Sequence, residues 1–376
     1  MIKKQVYIII STCFIFLSGC NGRVILENVS LILLIGVDKA PEGNLIVGTS
    51  TALFKTKNGK NTTEELVEAP SMYSGFSKMD VKTTGLLTSA KAEVLLVGKN
   101  LAQKNHWVNE LDPLLRDPYS SSNIQILLVN GTIKEIFNLK VKESDSLPMH
   151  IKKLIHSSIH DNRTVSTSIQ ELNRQQNEEG MTQTMPLIKR EKDKIRVEGI
   201  GFLNNKGRYV THMAGKDVPL YNLLNNKNNR GRMIFHITLN RSKNHQHQIV
   251  TALVENAKRK INVAYKGGKF HFDIDIGMDL SIIERTHAKS SMTVNKQQQE
   301  TIKLEHQIKE QVNKQLMNII NKMQKHELDP LGLSMYAKAY QYKEWETTKK
   351  DWVKVLSKSD IHITTDIKIQ NIGVIR

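Results

Sequence analysis

Cysteine is almost missing: the chain has two in 376 residues, Cys13 and Cys20, both within the first twenty positions. That count leaves nothing for a disulfide framework or a zinc-cysteine cluster. Beyond residue 20 there is no apolar run approaching the roughly 20 residues that a membrane-crossing helix needs. Internal repeats and long low-complexity tracts are also missing. Walker A, G-x-S-x-G and H-E-x-x-H patterns do not occur. The formal charge is +17, yet lysines are scattered among acids, with no arginine-rich arm and no basic block interleaved with aromatics. Nucleic acid is therefore not the expected partner. Such a surface is either simply solvated or weakly attracted to anionic headgroups, by roughly 1 kcal/mol per close lysine.

What is present begins with a leader. Lys3 and Lys4 precede an almost unbroken apolar stretch from Val6 to Leu17, the layout of a secretory signal. The stretch closes on Leu17-Ser18-Gly19-Cys20, which resembles a bacterial lipoprotein box. That resemblance implies a signal peptide over 1–19, with the Cys20 thiol acylated and the mature chain starting there. The alternatives are a plain secretory leader and an uncleaved anchor. On the lipoprotein reading Cys13 leaves with the leader, no catalytic thiol remains, and the charge falls from +17 to +15 with the loss of Lys3 and Lys4. Two acyl chains, at about 0.8 kcal/mol per buried methylene, hold a protein on a membrane where one chain does not.

Hydrophobic patterning predicts an α+β protein of several lobes, with mixed or antiparallel sheets each packed with helices. "SLILLIGVDKA" and "NLIVGTSTALF" flank a Pro41-Glu42-Gly43-Asn44 turn and read as a hairpin. "SGFSKMDVKTTGLLTSAKA", residues 74–92, reads as a helix, "EVLLVG" and "NIQILLVNG" read as buried strands, and helices are expected near 132–139, 148–160 and 166–176. The charged stretch 175–194 divides an N-terminal region, 20–193, from a C-terminal domain, 194–376. That domain opens with a hairpin around Asn204-Asn205-Lys206-Gly207. Its clearest strand is "FHFDIDIGMDLSII", where apolar residues alternate with polar ones from Phe270 to Ile282. A long helix over 297–327, stopped at Pro330, covers an antiparallel-looking sheet that ends in "DIHITTDIKIQNIGVIR".

Several patterns imitate chemistry. Asp273, Asp275, Asp279 and Glu284 fall at positions 1, 3, 7 and 12 of a calcium loop, but Met278 stands where that loop needs glycine, and the alternation is that of a strand. His245 and His247 lack a third ligand nearby. Gly199-x-Gly201 lacks its third glycine and lies between strands. No catalytic residue, metal or cofactor is therefore expected. Tyr336, Tyr340, Trp345 and Trp352 form the densest aromatic cluster. They are core if buried, or a partner-binding anchor if exposed.

In order along the chain, the lipobox, "GVDK", "VEGIGFLNNKGRYV", the long helix, "LDPLGLSMYAKAYQYKEWETTKKDW" and a terminal strand with "NIG" resemble the Ger(x)C spore-germination lipoproteins, C subunits of nutrient germinant receptors. Asp329-Pro330-Leu331-Gly332 followed by Trp345 and Trp352 is similar to that family's Asp-x-x-Gly and tryptophan signature. The resemblance implies a non-enzymatic subunit anchored through Cys20 to the outer leaflet of the spore inner membrane. Beside it would stand two polytopic membrane subunits of A and B type, with a role in assembly and signalling. A lipid-anchored solute-binding protein or envelope enzyme is the alternative.

Overall fold

A computed structural model describes residues 29–57, 60–83, 85–140, 146–225, 232–240, 247–286 and 294–372. Strands β1 (Val29–Lys39), β2 (Leu45–Lys57) and β3 (Lys60–Ala69) form an antiparallel meander that leads into α1 (Met72–Asp80). Beside β1 and parallel to it run β4 (Leu86–Thr88) and β5 (Val94–Gly98). A short helix α2 (Lys99–Ala102), a 3-10 turn over Trp107–Leu111 and α3 (Asp112–Arg116) lead to β6 (Gln125–Val129), parallel to β5. Then α4 (Ile133–Phe137), α5 (Leu147–His160) and α6 (Ile169–Asn177) precede β7 (Thr184–Glu191), parallel to β6. The antiparallel strands β8 (Lys194–Leu203) and β9 (Tyr209–Ala214) complete a nine-stranded sheet of order β3-β2-β1-β5-β6-β7-β8-β9, with β4 also against β1.

Each face of this sheet carries its own core. Ile35, Val37, Leu95, Val97, Ile126 and Leu128 pack on one side with Trp107 and Met79, while Leu34, Leu96, Leu127 and Val129 pack on the other with Ile133 and Ile151. Burial on both faces is why β5 and β6 are unbroken apolar runs.

The second sheet follows α7 (Asp217–Leu224). Its strands β10 (Met233–Asn240), β11 (His247–Lys266) and β12 (Lys269–Arg285) are antiparallel. After β12 come α8 (Val294–Lys325), α9 (Leu333–Tyr340), α10 (Tyr342–Thr348) and α11 (Trp352–Ser357), then β13 (Asp360–Ile372). Phe270, Phe272, Ile274, Ile276, Met278, Leu280 and Ile282 are buried beneath Ile308, Val312, Leu316 and Ile319 of α8. On the opposite face Asp273 and Asp275 are exposed, across from Asn262 and Lys260 of β11. The calcium-loop spacing is therefore laid out along a strand, which cannot wrap an ion.

Three expectations need correction. The helix expected over 74–92 holds only to Asp80, where α1 ends; the Asp80 Oδ1 accepts from the Leu87 N–H at 2.8 Å and fixes the start of β4. Within the charged stretch 175–194, residues 184–191 form β7, with Met185, Leu187 and Ile188 fully buried. Pro186 fits there because the β6 ladder begins only at Leu187, so no bond is lost for want of its N–H. Finally, β13 runs parallel to β12, from His271 opposite Asp360 to Ile282 opposite Ile372, so the second sheet is mixed. Position 193–194 falls at the turn of the β7–β8 hairpin, and the first sheet continues to residue 214.

Candidate functional site

Asp329 ties the C-terminal helices to the segment that leads into β7. The long helix α8 ends at Lys325, Glu327 turns the chain with φ 53°, and Gly332 takes φ 68°, a conformation glycine adopts without steric cost. That turn swings the first N–H groups of α9 back toward Asp329. Its Oδ1 accepts from the Leu333 N–H at 2.8 Å and its Oδ2 from the Ser334 N–H at 2.7 Å. Oδ2 also accepts from the Trp352 indole Nε1–H at 2.8 Å. The Asp-x-x-Gly spacing thus puts a carboxylate over the unsatisfied donors at a helix start, and the tryptophan closes the remaining side.

The backbone of Asp329 is bonded to the segment just before β7. Its N–H donates to Thr182 Oγ1 at 2.8 Å, and the Thr182 N–H donates to the Asp329 carbonyl at 3.0 Å. Nearby, the Tyr221 hydroxyl of α7 donates to the Pro330 carbonyl at 3.2 Å. Gly180 has φ +85°, and a Cβ there would lie 2.5 Å from the Trp352 ring. Burial pushes the Asp329 carboxyl above the usual carboxylate range, against the pull of its N–H donors. It pushes the Tyr221 hydroxyl up as well.

The aromatic cluster splits around this joint. Trp345 and Trp352 are each 1% exposed and belong to the core. Trp352 meets Phe270 edge-on with centroids 5.2 Å apart, and Trp345 lies under Lys338 Nζ at 5.1 Å and Lys349 Nζ at 5.6 Å. They share no helical face, because the chain breaks into α10, a 3-10 turn at Lys349–Asp351 and α11. Tyr336 is half-buried and its hydroxyl accepts from Arg259 Nη2 at 2.8 Å. Tyr340 is 68% exposed beside Tyr342 at 57%.

A second buried carboxylate, with no strong sequence signal, is Asp38 of "GVDK". Open sheets with parallel strands hold ligands in the crevice beyond the strands' carboxyl ends. Here Asp38 fills that position. Its Oδ1 accepts from the N–H groups of Lys39 at 2.8 Å and Leu101 at 3.2 Å, and its Oδ2 from Ile133 at 3.3 Å. A Cβ at Gly98 would stand 2.0 Å from the carboxylate carbon. Burial raises this carboxyl too, despite the three donors.

Among the described residues no three His, Cys, Asp or Glu side chains gather as metal ligands, and no helix is long and apolar enough to cross a membrane. Gly199 lies in β8 where a Cβ would meet the Met213 carbonyl oxygen at 2.0 Å, so it serves close strand packing rather than a phosphate loop. An open cleft of about 380 Å³ between the turn after α5, the start of α7 and β10 is lined by Asp161, Arg163, Lys216, Arg232 and His236. Cys20 and His245, with the side chain of His247, lie outside the described residues.

Comparison with known proteins matches this architecture. "Spore germination protein N-terminal domain" matches residues 22–190, and "Spore germination B3/ GerAC like, C-terminal" matches 198–373. Spore germination protein GerQC of Bacillus cereus is 19% identical over 363 residues, 96% of each chain. Spore germination protein A3 of Bacillus subtilis is 21% identical over 70% of this chain and 69% of its own. The crystal structure of the GerBC protein superposes with a TM-score of 0.61 at 16% identity, covering 90% of this chain and 97% of that one. The fold is thus a two-sheet α+β architecture of the GerBC type. With both family models covering nearly its whole length, the chain belongs to the Ger(x)C family of spore germination proteins.

Proposed function

We propose that this chain is the lipid-anchored, non-enzymatic C subunit of a spore nutrient germinant receptor. It is held by acylated Cys20 on the outer leaflet of the spore inner membrane, and it acts in assembly and signalling beside two polytopic subunits of A and B type. The observation that carries the reading is the end-to-end match to a spore germination protein. Two further features support it. The crevice where such sheets bind ligands is filled by Asp38, and the Asp329 joint is built from groups that hold one another. Within the aromatic segment, Tyr340 is the side chain we assign to partner contact, since it is exposed and tyrosine concentrates at binding hot spots.

The test is affinity capture of the tagged chain from spore membranes. Co-purification of two multi-span proteins is expected, and capture of the chain alone refutes the reading. Cys20→Ala tests the tether: the variant leaves the membrane fraction when partners are deleted, and one that stays shows that lipid is not what holds it. A second reading, a solute-binding protein, draws on the cleft with Arg163, Lys216, Arg232 and His236. It predicts a saturable thermal shift with amino acids or sugars, whereas the receptor reading predicts none.

A further inference from the structure

The place where the chain enters the fold coincides with an apolar rim. Strands β1, β5, β6 and β7 are mutually parallel, so their first residues share one end of the large sheet. At that end Val29 pairs with Leu86, which is 59% exposed. Val81, Leu115 and Tyr119 are exposed too, at 84%, 43% and 77%. Hydrogen bonds tie these pieces into one edge. The Leu87 N–H reaches Asp80 at 2.8 Å, next to Val81, and Ser89 Oγ donates to Asp117 at 2.7 Å, between Leu115 and Tyr119. The opposite end of the sheet carries exposed turns at 41–44 and 191–194, while at the rim end the exposed polar turn at 205–206 lies on the β8–β9 side, away from β1 and β4.

Cys20 precedes Val29 by nine residues, a span of roughly 30 Å at full extension. An acylated Cys20 therefore keeps this rim near the bilayer, while the eleven residues of β1 put the polar end some 35 Å farther along, at about 3.3 Å per residue. The β2–β3 hairpin also extends past this level. Thr51 lies opposite Ile32 in β1, and the β2 backbone continues to residue 57.

We propose that this end of the nine-stranded sheet is seated on the lipid bilayer. Val81, Leu86 and Leu115 enter the boundary between headgroups and acyl chains, and Tyr119 lies at headgroup level, the depth that suits an apolar ring with a polar tip. The inference rests on the lipid anchor at Cys20 and adds to it an orientation: the Asp38 end of β1 points away from the membrane.

The test uses the acylated full chain, purified from its native host and reconstituted without other proteins into vesicles of phosphatidylcholine and phosphatidylglycerol that carry a nitroxide lipid. With the Cys20 sulfur blocked by lipid, Leu86→Cys, Tyr119→Cys and Glu42→Cys each supply a single thiol for an environment-sensitive fluorophore. The expected result is a blue shift and quenching at positions 86 and 119, and neither at 42. Vesicle-bound chain with no quenching at 86 and 119, or with equal quenching at all three positions, overturns the orientation and leaves the anchor standing. Chain that does not float with the vesicles overturns the anchor and, with it, this inference. Crosslinking of position 86 to a membrane protein in spore membranes, with no quenching in vesicles, assigns the rim to a protein partner and so refutes contact with lipid.

Discussion

The nine-stranded sheet has a core on each face, whereas the four-stranded sheet packs one face under α8 and leaves Asp273 and Asp275 of the other in water. The difference divides tolerance to change. In the first sheet neighbours crowd both faces of the central strands, so a new side chain on either has nowhere to go. In the second, every other residue of β12 is free of that constraint, and the charges there lie opposite polar or oppositely charged partners such as Lys260 and Asp275. The joint at Asp329 belongs fully to neither sheet and depends on both.

Changes at the joint should do most to break this contrast. Trp352→Ala removes a buried indole and the donor to Asp329 Oδ2, and it is expected to cost about 3–5 kcal/mol. Denaturant unfolding measures the loss. Hydrogen exchange should show protection falling in β12 and β13 while β5 and β6 keep theirs; uniform loss would mean that the two sheets unfold as one unit. Gly98→Ala probes the doubly covered sheet. The new Cβ collides with a carboxylate that three N–H groups hold in place, and a loss of about 1–3 kcal/mol is expected in the same assay.

A smaller effect is the pH dependence of Asp38. Its folded carboxyl is raised by burial, so the native chain holds a proton that the unfolded chain releases near the ordinary value of about 3.9. The stability from this group is complete below that pH and is lost as pH rises through the folded pKa. Asp38→Asn should flatten that decline in stability measured against pH, and an unchanged slope would assign the dependence to other groups. Smallest of all, Asp275→Ala on the open face should shift stability by less than about 0.5 kcal/mol, and added calcium should leave the wild-type thermal midpoint unmoved.

The same contrast decided what could be read from the sequence. The half-wet strand β12 announced itself from Phe270 to Ile282, since alternation is visible wherever one face meets water. The hairpin at Asn204–Gly207 was legible from turn chemistry, and α8 from its spacing of three and four. Strand β7 was hidden because its exposed end, Lys189 to Glu191, is charged and Pro186 reads as a break, although Met185 to Ile188 are interior. The direction of β13 could not be read, because a period of two is the same for parallel and antiparallel pairing. At the candidate site, Asp329, Gly332 and Trp352 could be flagged together by resemblance, but not Thr182, 147 positions earlier. Asp38 is not legible, because an aspartate at a strand end reads as a solvated turn, and only the tertiary fold brings Leu101 and Ile133 to it.

The paired hydrogen bonds between Thr182 and Asp329 have a mechanical consequence. A displacement of the C-terminal helices that stretches one stretches the other and pulls the carboxylate away from Leu333, Ser334 and Trp352 in the same movement. Load on this contact therefore falls on both bonds together rather than on one after the other.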